Sequence, residues 1–294
     1  MNNKKIKKTI GEQIFDTCNI ILMLLIVFVS LYPLWYVLVA SFSKGIHVTN
    51  GKVIWWIKEF TWDAYKTMFD DGKIFVAYGN TIFYSIVGTA VNLILTALGA
   101  YALSKQRLRG RSMINKIILL SMWFSAGMIP TYIGFRNLGL MDTRLAVILC
   151  GAISTYYVIL MRTYFESIPD AMEEAAKIDG ASDFKIFTTV YLPLSTASIM
   201  TIGLYYFVGR WNAYFWAMLL LKDENKIPLQ VLLKKLVVEM TQNNSELGQI
   251  DYTITSRETT IFATIVVSTL PMIIIYPFIQ KFFVKGVMIG AVKG

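Results

Sequence analysis

Residues 174–193 read EAAKIDGASDFKIFTTVYLP, a polar and acid-bearing stretch that lies between two strongly apolar segments. Its alanine-rich start favours a helix, and Gly180 can adopt the left-handed conformation that ends one. Pro193 is expected to end a second helix, which would run from about Ser182 to Tyr191. The stretch therefore predicts two short helices with a bend at Gly180.

The first of these helices is expected to begin at Asp170, whose side chain would cap it, with Glu173 at the spacing of a capping box. Along the second helix, Phe184, Phe187 and Val190 are expected to form one apolar edge. The loop would then present apolar and acidic groups together.

Acids outnumber bases in and around this stretch. Helices that lie on a lipid surface usually carry Lys and Arg on their polar face, so an acid excess favours docking to a protein. A hairpin at the membrane interface without a partner is the alternative. The acids are Glu166, Asp170, Glu173, Glu174, Asp179 and Asp183, against the bases Arg162, Lys177 and Lys185.

The composition is that of an integral membrane protein. Of 294 residues, 55% are hydrophobic and 16% are charged, and the mean hydropathy is +0.54, whereas soluble domains carry about a quarter charged residues. The formal charge of +9 is attributed to topology and not to nucleic-acid binding. Cys18, Cys150 and His47 are too few to predict a disulfide framework or a metal centre.

Apolar runs predict an all-α membrane protein with six transmembrane helices. Helices are expected because only helices and closed barrels satisfy the backbone in lipid, and barrel strands are shorter, at about 10 residues. The predicted spans are 20–42, 79–104, 113–135, 144–162, 195–221 and 259–283.

The Lys/Arg distribution predicts the orientation of these spans. Basic residues cluster in the head of the chain, in the loop after the second span and in the tail. With six spans, these three regions fall on one side, so both termini and the 174–193 stretch are expected to be cytoplasmic. Segments 43–78 and 222–258 would then face outward.

The same stretch resembles the EAA motif of permease subunits of binding-protein-dependent ABC importers. Val190 stands where Ile is commoner in the motif. Three stretches narrow the resemblance to the carbohydrate, maltose-type branch, similar to the oligosaccharide permeases of Gram-positive lipoprotein-dependent systems. They are EAAKIDGAS followed by an aromatic residue, GRWNAYFWAMLLL at 209–221 and FFVKGVMIGAVKG at 282–294. The matching motif residues, whose implied role is coupling to an ATPase, are Glu174, Ala175, Ala176, Gly180, Leu192 and Pro193.

The resemblance implies a type I ABC importer permease fold with a cytoplasmic coupling-helix hairpin between spans 4 and 5. It implies residues 1–77 as head, first span and outer loop, 78–283 as the transmembrane core with the EAA loop at 170–193, and 284–294 as a cytoplasmic tail. The implied partners are a second homologous permease, a cytoplasmic ATPase dimer, an extracellular solute-binding protein and an oligosaccharide substrate, in the bilayer of the bacterial cytoplasmic membrane.

No cofactor is expected on this chain, and it is not expected to be an enzyme. The sequence contains no G-x-x-x-x-G-K-[ST] phosphate-binding loop. ATP and Mg are therefore expected on the partner ATPase.

Polar groups inside spans are candidates for the substrate path, because such groups are costly in lipid. Arg210 lies about 15 residues into its span and is expected to face a cavity or a partner carboxylate; on the path it would favour acidic oligosaccharides. Aromatic rings and amides near the spans suit sugar rings, although Trp and Tyr are also common at membrane interfaces. The candidates are Asn92, Trp123, Tyr156, Arg210, Trp211, Asn212 and Tyr214.

Two other functions fit the sequence less well. One is an ABC permease for another solute, such as peptides or amino acids, against which the 209–221 stretch and the tail argue. The other is a membrane scaffold or channel that works without ATP. The identity, length and charge of the sugar are left open.

Overall fold

The computed structural model describes residues 9–70, 72–124, 126–243 and 257–291. Helices and turns make up this part of the chain, which contains no β-strand, only an isolated bridge between Ser43 and Phe60. The all-α prediction is therefore confirmed. In chain order the helices are α1 (Ile10–Ser41), α2 (Gly45–Thr49), α3 (Asp63–Asp70), α4 (Lys73–Ser104), α5 (Arg111–Trp123), α6 (Met128–Asn137), α7 (Arg144–Leu149), α8 (Thr155–Glu166), α9 (Asp170–Ile178), α10 (Asp183–Ile186), α11 (Leu192–Leu194), α12 (Thr196–Asn212), α13 (Phe215–Leu220), α14 (Leu229–Asn243) and α15 (Arg257–Ala291).

The first of two compact units comprises residues 1–71 and 237–268. A capping box starts α1: the Thr9 hydroxyl accepts a hydrogen bond from the Glu12 N–H, and the Glu12 carboxylate accepts one from the Thr9 N–H at 2.7 Å. The most apolar 18-residue window of α1 has none of its residues buried within the protein. Such a helix suits lipid or another membrane protein on all sides.

The second unit comprises residues 72–236 and 269–294, and α4 is its central helix. Helices α12, α8 and α7 pack against α4. Gly203 lets α12 approach closely, since a Cβ atom there would lie 3.0 Å from Leu93 Cδ1. Phe165, Met161 and Ile202 fill the interior with almost no exposure.

The two short helices predicted around Gly180 are confirmed. Helices α9 and α10 flank a turn in which Gly180 has a φ of 77°, and α10 continues through a π-helical turn, Phe187–Tyr191, into α11. Ile186, Phe187 and Tyr191 belong to the same buried core as side chains of α4, α8 and α12. The loop is therefore anchored in the second unit and is not a free surface segment.

The predicted end of the second helix is wrong. Pro193 lies inside the helical segment Asp183–Leu194, and an 83° bend then separates this segment from α12.

Two further details of the loop prediction are wrong. Pro169 precedes α9 as its cap, and Asp170 is the first helical residue, without a side-chain capping bond. Glu173 forms no capping box, because other side chains bind its carboxylate. The rings of Phe184 and Phe187 lie 6.4 Å apart, but Phe184 is 70% exposed and Phe187 only 6%. The expected apolar edge therefore turns into the core at Phe187 and is not presented on one surface.

The six-span prediction stays a prediction. Within the described residues, three helices are long and apolar enough to cross a membrane: α1, α4 and the Arg257–Pro277 part of α15. The number rises to five if each of two bent pairs counts as one span, α5 with α6 and the Asp183–Leu194 segment with α12.

The predicted fourth span, 144–162, is interrupted. Helix α7 ends at Leu149 and α8 begins at Thr155, and between them Gly151 has a φ of 68°, which an α-helix does not allow. The predicted fifth span, 195–221, is likewise divided into α12 and α13. Interruptions inside apolar segments need polar partners for the freed backbone groups. In the second unit, Arg210 is such a partner.

Candidate functional site

The EAA loop, residues 170–193, presents large apolar side chains on its outer side. Ile178 is 87% exposed and Phe184 70%, and Glu174 is exposed as well. Glu174 and Ile178 are four residues apart on α9 and so lie on one face of it. We call Glu174, Ile178 and Phe184 the exposed face of the loop; large apolar side chains that are left exposed are typical of an interaction site.

Some residues of the EAA motif are exposed, and others pack against the core. Ala176 and Leu192 pack against the core. The Gly180 N–H donates to the Lys177 carbonyl at 2.9 Å, and the Ala181 N–H donates to the Ala176 carbonyl at 3.0 Å. Glu174, Ala175, Gly180 and Pro193 are exposed, and Ala176 and Leu192 are half-buried.

Glu173 lies on the inner side of the loop, in a buried cluster of charges. Its carboxylate accepts hydrogen bonds from the Tyr191 hydroxyl at 2.7 Å and from Lys105 Nζ, and Lys177 Nζ lies 2.6 Å away. Arg107 Nη1 donates a further bond at 3.2 Å. We call these five residues the Glu173 network.

Aromatic rings enclose the cation of this network. Lys105 Nζ lies 4.1 Å from the centre of the Tyr101 ring and 3.7 Å from that of Tyr191, in the geometry of cation–π attraction. Arg107 also forms an ion pair with Asp183 at the start of α10. The network thus joins the end of α4 to both arms of the EAA loop.

The electrostatics of the network favour a charged Glu173. Burial by itself raises the pKa of the Glu173 carboxyl, but hydrogen bonds from Lys105, Lys177 and Tyr191 outweigh burial and lower the pKa to about 2. The side chains of Glu173 and Lys105 are only 11% and 10% exposed. Because both ions are buried, removing one would leave the other without compensation.

Sequence reasoning missed the Glu173 network. Glu173 and Lys105 are 68 residues apart, and Glu173 and Tyr191 are 18 apart. The one local signal is that Lys105 directly follows an apolar span. A lysine at that position indicates the orientation of the span as readily as it indicates a buried ion pair.

A cavity of about 670 Å³ opens beside the network. Its walls carry both signs of charge, including Arg107, Arg111, Glu166 and Asp170. Arg111 and Glu166 form an ion pair of their own, so the cavity has no single sign that would select an anion or a cation.

Among the predicted substrate-path residues, the structure brings Arg210 and Asn92 together. Arg210 Nη2 donates to Asn92 Oδ1 at 2.9 Å and to the Ile148 carbonyl at 2.7 Å. Arg210 Nη1 donates to the carbonyls of Val147 at 2.7 Å and Cys150 at 3.0 Å. The guanidinium therefore binds the carbonyl end of α7, where the fourth apolar segment is interrupted.

This arrangement explains the arginine inside an apolar segment. A helix end buried without hydrogen-bond donors is costly, and the two terminal nitrogens of Arg210 supply four bonds. A positive charge at a helix C-terminus also suits the helix dipole. The predicted partner for Arg210 was a cavity or a carboxylate, whereas the partners in the structure are backbone carbonyls and an amide.

The other predicted path residues are not gathered at this point. Trp211 is buried, with its ring stacked on Phe207 at 6.1 Å, and Asn212 and Tyr214 are exposed just beyond it. Trp123 is 86% exposed and Tyr156 56%.

A buried tyrosine, Tyr206, binds the other side of the interruption between α7 and α8. The Tyr206 hydroxyl shares a hydrogen bond with Thr96 Oγ1 at 2.8 Å and accepts one from the Ser154 N–H at 3.1 Å. Tyr206 thereby holds the start of α8, as Arg210 holds the end of α7.

A close contact between α4 and Arg210 yields the first prediction. A Cβ atom at Gly88 would lie 3.1 Å from Arg210 Nε, whereas a Cβ atom at Gly99 on the same helix would meet nothing within 4 Å. Because four hydrogen bonds hold Arg210 in place, we expect Gly88→Ala to lower stability by about 1–3 kcal/mol, the usual cost of overpacking.

Thermal unfolding of the purified chain in detergent measures this difference. Gly99→Ala is the matched control and should unfold at or above the wild-type temperature, since Ala favours a helix over Gly. Equal unfolding temperatures for Gly88→Ala and Gly99→Ala would show that Arg210 is not held as described.

The second prediction concerns Glu173 and pH. Its folded pKa of about 2 lies below the ordinary value of 4.5, so its stabilisation is present above that value and lost as pH falls toward 2. At neutral pH we expect Glu173→Gln to cost about 3–5 kcal/mol, because Lys105 stays buried without its carboxylate.

The unfolding temperatures of wild type and Glu173→Gln, measured in detergent between about pH 8 and pH 3, test this expectation. The difference between the two unfolding temperatures should be constant in the upper part of this pH range and should become smaller in the acid part. A gap that does not narrow would mean that the Glu173 carboxylate does not titrate with folding.

Comparison with known proteins places this geometry in a family. A family model described as the binding-protein-dependent transport system inner membrane component matches residues 112–289. Protein LplC of Bacillus subtilis (strain 168) is 38% identical over 288 residues, which are 97% of each chain. The polygalacturonan/rhamnogalacturonan transport system permease protein YtcP of the same organism is 38% identical over 96% of this chain and 99% of its own.

Solved structures show the same fold. One is the crystal structure of a bacterial ABC transporter involved in the import of the acidic polysaccharide alginate. A chain of it is 41% identical, with a TM-score of 0.87 over 95% of this chain and all of its own. A second, the bacterial alginate ABC transporter in complex with an alginate pentasaccharide-bound periplasmic protein, shares the fold at 14% identity and a TM-score of 0.61.

The interrupted apolar helices, the anchored EAA loop and these matches lead to one conclusion: the chain belongs to the family of binding-protein-dependent transport system inner membrane components, the multi-pass permeases of ABC importers.

Proposed function

We propose that this chain is one permease subunit of an ATP-driven importer that moves acidic oligosaccharides across the bacterial cytoplasmic membrane. One observation carries the substrate class: relatives of 38% and 41% identity, aligned over almost the whole chain, are named for polygalacturonan/rhamnogalacturonan transport and for import of the acidic polysaccharide alginate. Permeases for peptides or amino acids are not favoured, because those relatives whose names specify a solute name saccharides.

The exposed face of the EAA loop is the proposed docking site for a cytoplasmic ATPase dimer. Ile178 and Phe184 are among the most exposed large apolar side chains of the second unit, and large exposed apolar groups beside a carboxylate suit a protein partner. The motif residues Glu174, Ala175, Ala176, Gly180, Leu192 and Pro193 are proposed to carry the coupling.

ATP and Mg would bind on that partner, and this chain would itself catalyse no reaction. The second permease would complete the translocation path as a related subunit of a pseudo-twofold pair. An extracellular binding protein would deliver the sugar to the outward segments. One of these segments, 222–258, includes residues 244–256, which lie outside the described part of the chain.

The predicted topology and domain limits are part of this proposal. Both termini and the EAA loop would be cytoplasmic. The head, first span and outer loop would occupy 1–77, the transmembrane core 78–283 and the cytoplasmic tail 284–294. The backbone of α15 is helical as far as Ala291.

The third prediction tests the docking site. We expect Ile178→Asp to weaken binding of the ATPase subunit by about tenfold or more, because a charge replaces an apolar anchor at an interface. Co-purification and titration of the ATPase subunit with the permease measure the effect. Leu138→Asp, at another side chain that is 73% exposed and predicted to face outward, is the matched control.

Glu174→Lys and Gly180→Pro extend this test. The first reverses a charge on the exposed face, and the second places proline at a φ of 77° that its ring forbids. If ATPase binding and transport were normal in all three loop variants, the proposed docking site would be wrong.

The fourth prediction tests the substrate class. Proteoliposomes that contain the complete importer should take up uronate oligosaccharides in preference to neutral ones of equal length. Arg210→Ala should reduce the uptake of both to a similar extent, because the terminal nitrogens of Arg210 are engaged in four hydrogen bonds to its own chain.

Two outcomes would revise this assignment. Preferential uptake of neutral sugars would overturn the acidic substrate class. Selective loss of uronate uptake in Arg210→Ala would restore Arg210 as a charge-selective residue on the path.

A further inference from the structure

The strongest feature that the proposed function leaves unused is the buried carboxylate of Glu173. The EAA motif draws attention to Glu174, which is exposed on α9. Glu173 is the neighbouring acid, and its side chain faces the core with 11% exposure. Buried charges are rarely retained unless they are paired and hydrogen-bonded, and Glu173 has both kinds of partner.

The partners of Glu173 belong to three separate segments. Lys105 directly follows α4, Lys177 lies on α9 itself, and Tyr191 ends the π-helical turn after α10. Arg107 then connects Glu173 with Asp183 at the start of α10. One carboxylate therefore ties both arms of the EAA loop to the end of α4.

Helix α4 continues this connection into the membrane segments. It runs without interruption from Lys73 to Ser104, and it packs against α12, α8 and α7. Asn92, on the same helix, binds Arg210, which in turn holds the end of α7. A displacement of α4 would therefore reach the interruption between α7 and α8 through hydrogen bonds.

We propose that Glu173 is a positioning residue for energy coupling: with Lys105 and Tyr191 it makes the EAA loop and α4 a single rigid body, so that a push on the exposed face of the loop moves α4. This inference rests on the proposed function, in which an ATPase acts on that face. It adds that the motion of the loop reaches α4 through the buried carboxylate of Glu173, whereas the exposed carboxylate of Glu174 serves docking.

Physical chemistry favours ions for this connection. Apolar contacts between the loop and α4 are non-directional, whereas a Glu173 carboxylate that moved away from α4 would keep Lys177 on its own helix and leave the buried Lys105 ammonium without its counter-ion. Cation–π contacts with Tyr101 and Tyr191 on either side of Lys105 restrict it further.

The test uses the complete importer in proteoliposomes and the double variant Lys105→Met with Glu173→Gln. Replacing both partners removes the ion pair without leaving one buried charge unpaired, which protects the fold. The matched control is Arg111→Met with Glu166→Gln. It removes an ion pair between α5 and α8, and Arg111 Nε also donates to the Leu103 carbonyl at 2.9 Å, so this control removes a contact at the end of α4 that does not involve the EAA loop.

The readout is the number of substrate molecules transported per ATP hydrolysed, normalised to the amount of assembled complex. We expect the Lys105/Glu173 variant to bind the ATPase subunit and hydrolyse ATP, with transport per ATP reduced by about tenfold, within the usual range of coupling energies between sites. The control should keep the wild-type ratio. A purely structural role would lower the yield of complex and leave this ratio unchanged.

The outcomes separate this inference from the proposed function. A wild-type ratio in the Lys105/Glu173 variant overturns the inference and leaves the docking site standing. Loss of ATPase binding in this variant also overturns it, because Glu173 would then belong to the docking surface. Normal ATPase binding and transport in Ile178→Asp, Glu174→Lys and Gly180→Pro would instead overturn the docking site itself.

Discussion

The end of α4 depends on a single buried carboxylate. Lys105 directly follows this apolar helix. Two tyrosine rings enclose its ammonium group, and its side chain is only 10% exposed. Without Glu173 that charge would have no compensation in a low-dielectric site. The same carboxylate also binds the two arms of the EAA loop, so the loop's position follows from the need to neutralise Lys105.

A second constraint governs the interior of the same unit. The fourth apolar segment is not one helix, and the carbonyl groups at its interruption need donors that lipid cannot supply. Arg210 provides them from α12, Tyr206 binds the Ser154 N–H on the far side, and Gly88 leaves room for the arginine. An arginine that the sequence suggests as a substrate ligand is thus explained by the backbone of its own chain.

The two constraints are connected through α4. Its cytoplasmic end, in the proposed orientation, carries Lys105, and its middle carries Asn92, which binds Arg210. A permease needs a loop that a partner can move and a membrane segment that can respond. An uninterrupted helix of 32 residues with an ion pair at one end and a hydrogen-bonded arginine along its length is a physical means of joining them.

The amino-acid sequence by itself determined the membrane class, the helical fold, the bend at Gly180 and the family, because hydropathy, glycine geometry and motif spacing are properties of local sequence. Only the tertiary structure decided that Glu173 faces inward, that Phe184 and Phe187 point to different environments, and that Arg210 closes a broken helix. These depend on which distant segments meet: Glu173 and Lys105 are 68 residues apart, and Arg210 and Asn92 are 118 apart. A charge in a sequence shows the need for a partner, and only the packed fold shows which group meets that need.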